Sequence, residues 1–186
     1  MTETPEAGPA YLPGDTPADA RVARIIRVDQ AGEFGAVRIY AGQRAVLRRG
    51  RAAAAIDHMA AQEAAHLETF DRLIAERRVR PTALRPLWHV GGYAMGAATA
   101  LLGEKAAMAC TAAVEEVIDE HYAGQLAELG GSDPELSAII DEYRADEAAH
   151  RQTALDHGAE DALAYPVLTA AVKSASRLAI WLSERF

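Results

Sequence analysis

The stretch EFGAVRIYAGQ, residues 33–43, returns as EEVIDEHYAGQ at residues 115–125, with a glutamate first and Tyr-Ala-Gly-Gln last in both. Each copy is followed by the tetrapeptide Glu-Ala-Ala-His, at residues 63–66 and 147–150. The tetrapeptide begins 30 residues after the glutamate of the first copy and 32 residues after that of the second. The sequence therefore predicts a helical hairpin that is repeated within the chain, and this internal repeat determines the fold.

The segments around both copies have helical periodicity. Apolar residues recur three and four positions apart over about 21–49 and 51–79, and Gly50 separates these two segments. A second pair is predicted over about 104–129 and about 132–158, where Ser-Asp-Pro-Glu provides capping and first-turn residues. Two antiparallel hairpins of this kind pack as a four-helix bundle, so we expect an all-α fold.

Composition supports that fold and limits the function. Half of the 186 residues are hydrophobic and only 6% are aromatic, which favours alanine-rich helices over strands. A net charge of −8 disfavours nucleic acid as a partner. The single cysteine, Cys110, indicates a reducing compartment and metal chemistry, if any, through oxygen and nitrogen ligands. We expect a disordered acidic tail over 1–20, without the pattern of a signal peptide, and one domain over 21–186.

Two largely uncharged segments lie outside the repeat. Residues 87–103 contain four glycines and are short for a membrane span, so we predict an apolar crossover helix, buried or interfacial. Residues 165–186 have apolar residues at helical spacing, which predicts a C-terminal helix. Both helices either complete the core of the bundle or form a surface that lies on a membrane.

The repeat also predicts a metal centre. Glutamate and histidine three positions apart project from one helical face, so each Glu-Ala-Ala-His offers a carboxylate and an imidazole to one ion. A lone glutamate from each of two helices, with Glu-x-x-His from each of the other two, is the ligand set of ferritin-like di-iron and di-manganese proteins. The four negative charges of the carboxylates balance the four positive charges of two divalent ions. Without metal, repulsion between the buried carboxylates should raise the pKa of some of them. We predict six ligands: Glu33, Glu63, His66, Glu115, Glu147 and His150.

Several neighbours of these ligands are open to two interpretations. Glu116 adjoins Glu115 and either could point inward, although the register of the repeat favours Glu115. Tyr40 and Tyr122 follow their glutamates by two turns, so each hydroxyl either orders a ligand carboxylate or fills the core; we single out Tyr122 as the candidate beside the metal. Asp146 either orients a ligand histidine of a neighbouring helix or is solvated.

The chain resembles the demethoxyubiquinone hydroxylase family of ubiquinone biosynthesis from about residue 21 to the end. The resemblance lies in RIIRVDQAGEFGAVRIYAGQ (24–43), RVRPTALRPLW (78–88), ALLGEKAAMACTAAVEEVIDEHY (100–122) and LAIWLSERF (178–186). The six predicted ligands fall on the ligand positions of the family. The chain departs from the pattern at Gln30 and Phe34, where histidine and tyrosine are expected, and neither position is a ligand.

The resemblance implies a di-iron monooxygenase that hydroxylates the ring of 3-demethoxyubiquinol with O2, in the penultimate step of ubiquinone biosynthesis. It further implies two iron ions, O2 as co-substrate and NADH as the electron source, although the sequence has no Rossmann fingerprint. The expected partners are the lipid substrate, a membrane surface, a lipid-binding protein of the pathway and further copies of the chain. The expected location is peripheral, on the cytoplasmic side of the inner cell membrane.

Two other functions compete with this one. A ferritin-like or rubrerythrin-like protein that handles iron or removes peroxide would share the ligands but would need no entrance for an apolar substrate. In a purely structural bundle the repeat would result from duplication alone, and the helix faces would bind a partner protein instead of a metal.

Overall fold

The computed structural model describes residues 20–186, and this part of the chain forms helices joined by short turns without strands. The predicted tail over 1–20 lies outside the described residues except for Ala20, where the first helix begins. The predicted all-α fold is confirmed. The elements are α1 Ala20–Val46, α2 Arg51–Glu76, α3 Arg85–Leu101, α4 Glu104–Leu129, α5 Pro134–Asp156, a short 3-10 turn Ala159–Asp161 and α6 Tyr165–Ser183.

The ends of the helices follow local backbone chemistry. The sequence predicts that the second helix continues to about residue 79, but it ends at Glu76 because the next turn of the chain takes Arg78 to a positive φ of 52°. Asp133 begins α5, where its side chain accepts a hydrogen bond from the backbone N–H of Leu136. A left-handed Gly130 ends α4, as expected for a glycine at a helix C-terminus.

The central pair of helices is α1 and α4. On one side α1 packs against α2 and α4 packs against α5, which completes the four-helix bundle. On the other side α3 covers α1 and α6 covers α4. Because α4 is enclosed on both sides, every residue from Ala106 to Glu115 is buried, a pattern typical of a helix inside the core.

Glycines in α3 allow that helix to lie directly on the backbone of α1. A Cβ atom at Gly96 would stand 1.9 Å from the carbonyl oxygen of Ile39, and one at Gly42 would stand 2.2 Å from that of Tyr93. Only glycine fits at these contacts. The glycine content that sets the segment 87–103 apart therefore has a packing cause, and the predicted crossover helix is present as α3.

Between residues 20 and 186, no helix is both long enough and apolar enough to cross a bilayer. Cys110 is fully buried, in agreement with its position in an apolar run.

Candidate metal centre

Six buried side chains from the four bundle helices meet in the interior. Each is at most 3% exposed to solvent, which is unusual for glutamate. One glutamate comes from each of α1 and α4, and a glutamate with a histidine comes from each of α2 and α5. The structure thus brings together every residue of the predicted ligand set: Glu33, Glu63, His66, Glu115, Glu147 and His150.

The six side chains form two overlapping groups. Within each group, one ligand atom from every residue lies within 4.8 Å of the others. The first group adds Glu33 and His66 to the shared pair Glu63 and Glu147, and the second adds Glu115 and His150 to the same pair. This overlap is compatible with two metal positions that have two carboxylates in common.

The register of the repeat places Glu115 in the interior and its neighbour outside. Glu115 is 1% exposed, whereas Glu116 contacts Lys173 of α6 and Arg151 of α5 at the surface. The hydrogen bond from Lys173 holds the pKa of Glu116 below its ordinary value. Glu116 is therefore held as a carboxylate by surface cations and faces away from the centre.

The charges of the cluster are poorly balanced by the protein alone. Burial raises the pKa of Glu33, Glu63 and Glu115, and repulsion from the other carboxylates, Glu147 above all, raises these values further. Burial also acts to raise the pKa of Glu147, but the close contacts with His150 and His66 outweigh burial and bring the pKa to about 2. Such a crowded set of acids in a closed interior favours a bound cation.

The unsatisfied atoms of the cluster fit a metal ion. Both carboxylate oxygens of Glu63, one oxygen of Glu115, one of Glu147 and Nδ1 of His66 are buried without a hydrogen bond from any described residue. A buried polar atom without a partner costs about 1–3 kcal/mol, so five of them in one cluster would be a heavy penalty. All five are oxygen or imidazole nitrogen atoms of the kind that iron and manganese accept as ligands. The donor set fits two such ions.

Two tyrosines cross between the halves of the repeat to hold the outer glutamates. The hydroxyl of Tyr40 on α1 donates a hydrogen bond of 2.8 Å to Glu115 on α4, and that of Tyr122 on α4 donates to Glu33 on α1. Burial and the neighbouring carboxylates raise the pKa of both phenols well above the ordinary value. Each phenol therefore keeps its proton and orients a carboxylate that belongs to the other half.

Two further side chains hold the histidines from outside the cluster. Asp146 lies 3.1 Å from Nε2 of His66, the orienting contact that the sequence left open. Gln62 lies 3.1 Å from Nε2 of His150, and sequence reasoning missed this residue. A signal was present, because each stands directly before the glutamate of its Glu-Ala-Ala-His.

A buried acid beside the centre was also missed. Asp29 on α1 accepts a hydrogen bond of 2.6 Å from Gln125 on α4, and Nε2 of His121 lies 3.7 Å away. Of the two departures from the family pattern, Gln30 donates to Asp71 on α2, and Phe34 packs under the guanidinium of Arg85, 4.7 Å from the ring centre. Neither departure belongs to the six-residue cluster.

An apolar cavity of about 330 Å³ lies between the central helices and their cover, α3 and α6. Its α1 wall includes Gly32 and Ala36, on either side of Glu33, and its α4 wall includes Val114, which precedes Glu115. Trp88 of α3 and groups from α6 close the other sides. The cavity is thus adjacent to the helix turns that carry two of the acidic ligands.

Comparison with known proteins decides the family. The model described as ubiquinone biosynthesis protein COQ7 matches residues 20–183. The chain belongs to this family. Similar relatives include the 3-demethoxyubiquinol 3-hydroxylase of Rhodospirillum rubrum, 57% identical over 94% of this chain and 82% of that protein. The human mitochondrial NADPH-dependent 3-demethoxyubiquinone 3-hydroxylase is 51% identical over 92% of this chain and 81% of its own length.

A more distant relative matches across nearly the whole chain. The mitochondrial 5-demethoxyubiquinone hydroxylase of Saccharomyces cerevisiae is 44% identical over 99% of this chain and 86% of that protein. The family predicted from the motifs is therefore confirmed. Because all three relatives are named as hydroxylases, membership in the family favours an enzyme over a structural bundle.

Proposed function

We propose that this protein is an O2-dependent monooxygenase that hydroxylates the ring of 3-demethoxyubiquinol in the penultimate step of ubiquinone biosynthesis. The observation that carries this proposal is the pair of overlapping Glu and His groups in a family whose relatives are named for that hydroxylation. In the overall reaction one oxygen atom enters a ring C–H bond and the other leaves as water. The balance requires two electrons and two protons in addition to the quinol.

The metal is proposed to be a pair of iron ions. Glu33 and His66 would hold one ion and Glu115 and His150 the other, and Glu63 and Glu147 belong to both groups. Two Fe(II) ions supply the electrons that activate O2 when they are bound. The protein's own contribution is to present oxygen and nitrogen ligands in a dry interior, where burial excludes competing water.

The two crossing tyrosines would keep the outer ligands in place during turnover. Each phenol donates to one carboxylate oxygen, so the other oxygen remains directed toward the cluster. Because the pKa of both phenols is raised by burial, neither loses its proton to solvent at neutral pH. We propose that Tyr122 orients Glu33 in this way, and that Tyr40 does the same for Glu115.

The apolar cavity is the proposed binding place of the substrate. Its lining is almost entirely hydrocarbon, which suits a quinol ring with the first units of a polyprenyl tail. Its position beside Glu33 and Glu115 would bring the ring close to the metal ions. An iron-storage protein or a peroxidase has no need of such an entrance.

The outer faces of α3 and α6 are the proposed contact with a membrane. All large hydrophobic residues that are exposed within residues 20–186 lie on these two helices or next to their ends: Leu87, Val90, Tyr93, Leu101, Leu102, Leu163, Val167, Leu178, Trp181 and Phe186. An apolar face of this kind on a surface helix binds the interface of a bilayer. We propose peripheral attachment on the cytoplasmic side of the inner cell membrane, where a polyprenyl substrate is available.

The remaining parts of the proposal concern electrons and partners. We propose NADH as the electron source, while the human relative is named NADPH-dependent, so both nucleotides belong in the assay. A lipid-binding protein of the same pathway and further copies of the chain remain the proposed protein partners. A liposome flotation assay tests the membrane claim, which fails if the whole protein stays in the soluble fraction.

The function is tested by one turnover with labelled oxygen. Protein reconstituted with Fe(II) is mixed with a short-tail demethoxyubiquinol under 18O2, and the quinol is analysed by mass spectrometry. A hydroxylated product that carries one labelled atom supports the proposal. If iron is oxidised while the quinol returns unchanged, the proposed substrate is wrong and an oxidase or peroxidase function takes its place.

A further inference from the structure

Each histidine of the centre has an outer hydrogen-bond partner from the opposite half of the repeat. Nε2 of His66 on α2 lies 3.1 Å from a carboxylate oxygen of Asp146 on α5. Nε2 of His150 on α5 lies 3.1 Å from the amide oxygen of Gln62 on α2. The two contacts are equivalent under the repeat, since both partners directly precede the glutamate of their own tetrapeptide.

These contacts give both rings the same orientation. Each outer partner is an oxygen atom on the Nε2 side, so Nε2 can donate its proton outward when Nδ1 binds an ion. Nδ1 faces the carboxylates of the cluster: that of His66 lies 3.5 Å from Glu147, and that of His150 lies 3.1 Å from Glu63. Both imidazoles are thus prepared to bind a metal ion through Nδ1.

The two outer partners differ in charge, although their positions match. Asp146 places a carboxylate on the His66 ring, whereas Gln62 places a neutral amide on the His150 ring. A carboxylate pulls harder on the Nε2 proton and makes the imidazole a stronger donor to the metal through its other nitrogen. His66 is held further by Tyr143, whose ring stacks on it with centres 3.8 Å apart and planes inclined by 21°.

We propose that Asp146 and Gln62 make the two metal positions unequal, so that the position of Glu33 and His66 binds its ion more tightly and fills first. The inference rests on the proposed metal centre and adds to it an order of loading. Asp146 and Gln62 are positioning residues, because they act on the ion only through an imidazole ring.

An anaerobic titration with Co(II), followed by its visible absorption, measures the two positions separately. The native protein should bind two ions in steps that differ in affinity. Asp146→Asn keeps the size and an acceptor oxygen but removes the charge, so the tighter step should weaken by about 10- to 100-fold. Gln62→Glu adds the missing charge and should tighten the weaker step. Asp141→Asn, the same change at an exposed site on α5, should leave both steps unaltered.

Proton NMR of the Co(II)-loaded protein gives a second readout that a purely structural role would not move. Each ligand histidine should contribute one strongly shifted Nε2 proton that exchanges with solvent. Asp146→Asn should shift one of these two signals and Gln62→Glu the other. Melting curves of the metal-free variants show whether the fold is retained. Asp146→Asn and Gln62→Glu are independent tests, so the inference can still be tested if one of them fails to fold.

The outcomes separate this inference from the proposal beneath it. If the native protein binds two Co(II) ions and neither variant changes an affinity or a signal, the inference is wrong while the metal centre stands. Two equal steps in the native protein would overturn it in the same way. If the native protein binds no Co(II), the proposed metal centre and the inference both fail.

Discussion

Replacing Gly35 with leucine should block the apolar cavity without weakening the fold. Gly35 lines the cavity from α1, and a Cβ atom at this position would meet no other atom within 4 Å. The new side chain can therefore extend into open space. Leucine is also the better helix former, and the exchange should stabilise α1 by slightly less than about 1 kcal/mol.

The expected loss of activity follows from the substrate carbons that leucine displaces. Its side chain has four carbons, and at about 0.8 kcal/mol for each buried CH₂ the variant should lose about 3 kcal/mol of substrate binding. That energy corresponds to a loss on the order of 100-fold in kcat/KM. A substrate that lacks the polyprenyl tail should suffer much less, because it has few carbons to displace.

The assay compares kcat/KM on long-tail and short-tail demethoxyubiquinol, together with the melting temperature. Gly124→Leu is the matched control, since Gly124 is an exposed helical glycine of α4 whose Cβ position is equally open. The control should share the gain in stability and keep full activity. If Gly35→Leu retains native kcat/KM on the long-tail substrate, the cavity does not bind that substrate.

Three further predictions concern stability. Saturating Fe(II) or Mn(II) under anaerobic conditions should raise the melting temperature by about 5–10 °C per position at a metal concentration about 100 times Kd, and a calorimetric scan without a rise would contradict an interior centre. Asp133→Ala removes the cap of α5 and the ion pair with Arg77, and should cost about 1–2 kcal/mol in urea unfolding at pH 7. The hydrogen bond from Arg77 lowers the pKa of Asp133, so this stabilisation is complete above the ordinary pKa of 3.8 and is lost as pH falls through the lower pKa of the folded state. Equal stability of the native protein and the variant at pH 7 would refute this prediction. Gly96→Val should unfold the protein at a lower urea concentration, since its Cβ would collide with the carbonyl oxygen of Ile39, and an unchanged midpoint would show that α3 does not rest on α1 as described.

The sequence predicts the bundle and the convergence of the six side chains because both depend on local spacing. Glutamate and histidine three positions apart must share a helical face, so Glu63 with His66 and Glu147 with His150 follow from the helix alone. The repeat then pairs each of these with a lone glutamate at a fixed distance. No tertiary information is needed to assemble that set.

Contacts across the bundle were harder to predict because they depend on how the two halves pack. Tyr122 bonds to Glu33 of the other half, and Gln62 bonds to His150 of the other half. A single chain position does not reveal a partner that lies more than 80 residues away. The equivalent positions of Gln62 and Asp146 within the repeat were visible in the sequence. Their contacts with the histidines could not be predicted, because these depend on how α2 and α5 pack against each other.

The outer helices show the limit of hydrophobic patterns. The apolar residues of 87–103 and 165–186 were consistent both with core and with membrane contact. In the structure the small residues face inward, as Gly92 and Gly96 do, while large ones such as Val90 and Trp181 face outward. Average hydrophobicity cannot distinguish these arrangements, because α3 packs through its glycines and α6 buries few large residues.

The central claim is that six buried side chains hold two iron ions, and an anaerobic Fe(II) titration of neighbouring variants tests it most directly. The native protein and Glu116→Gln should each bind two ions per chain, since Glu116 faces the surface cations. Glu115→Gln should lose or strongly weaken one of the two. A native protein that binds no Fe(II), or two variants that behave alike, would contradict the account.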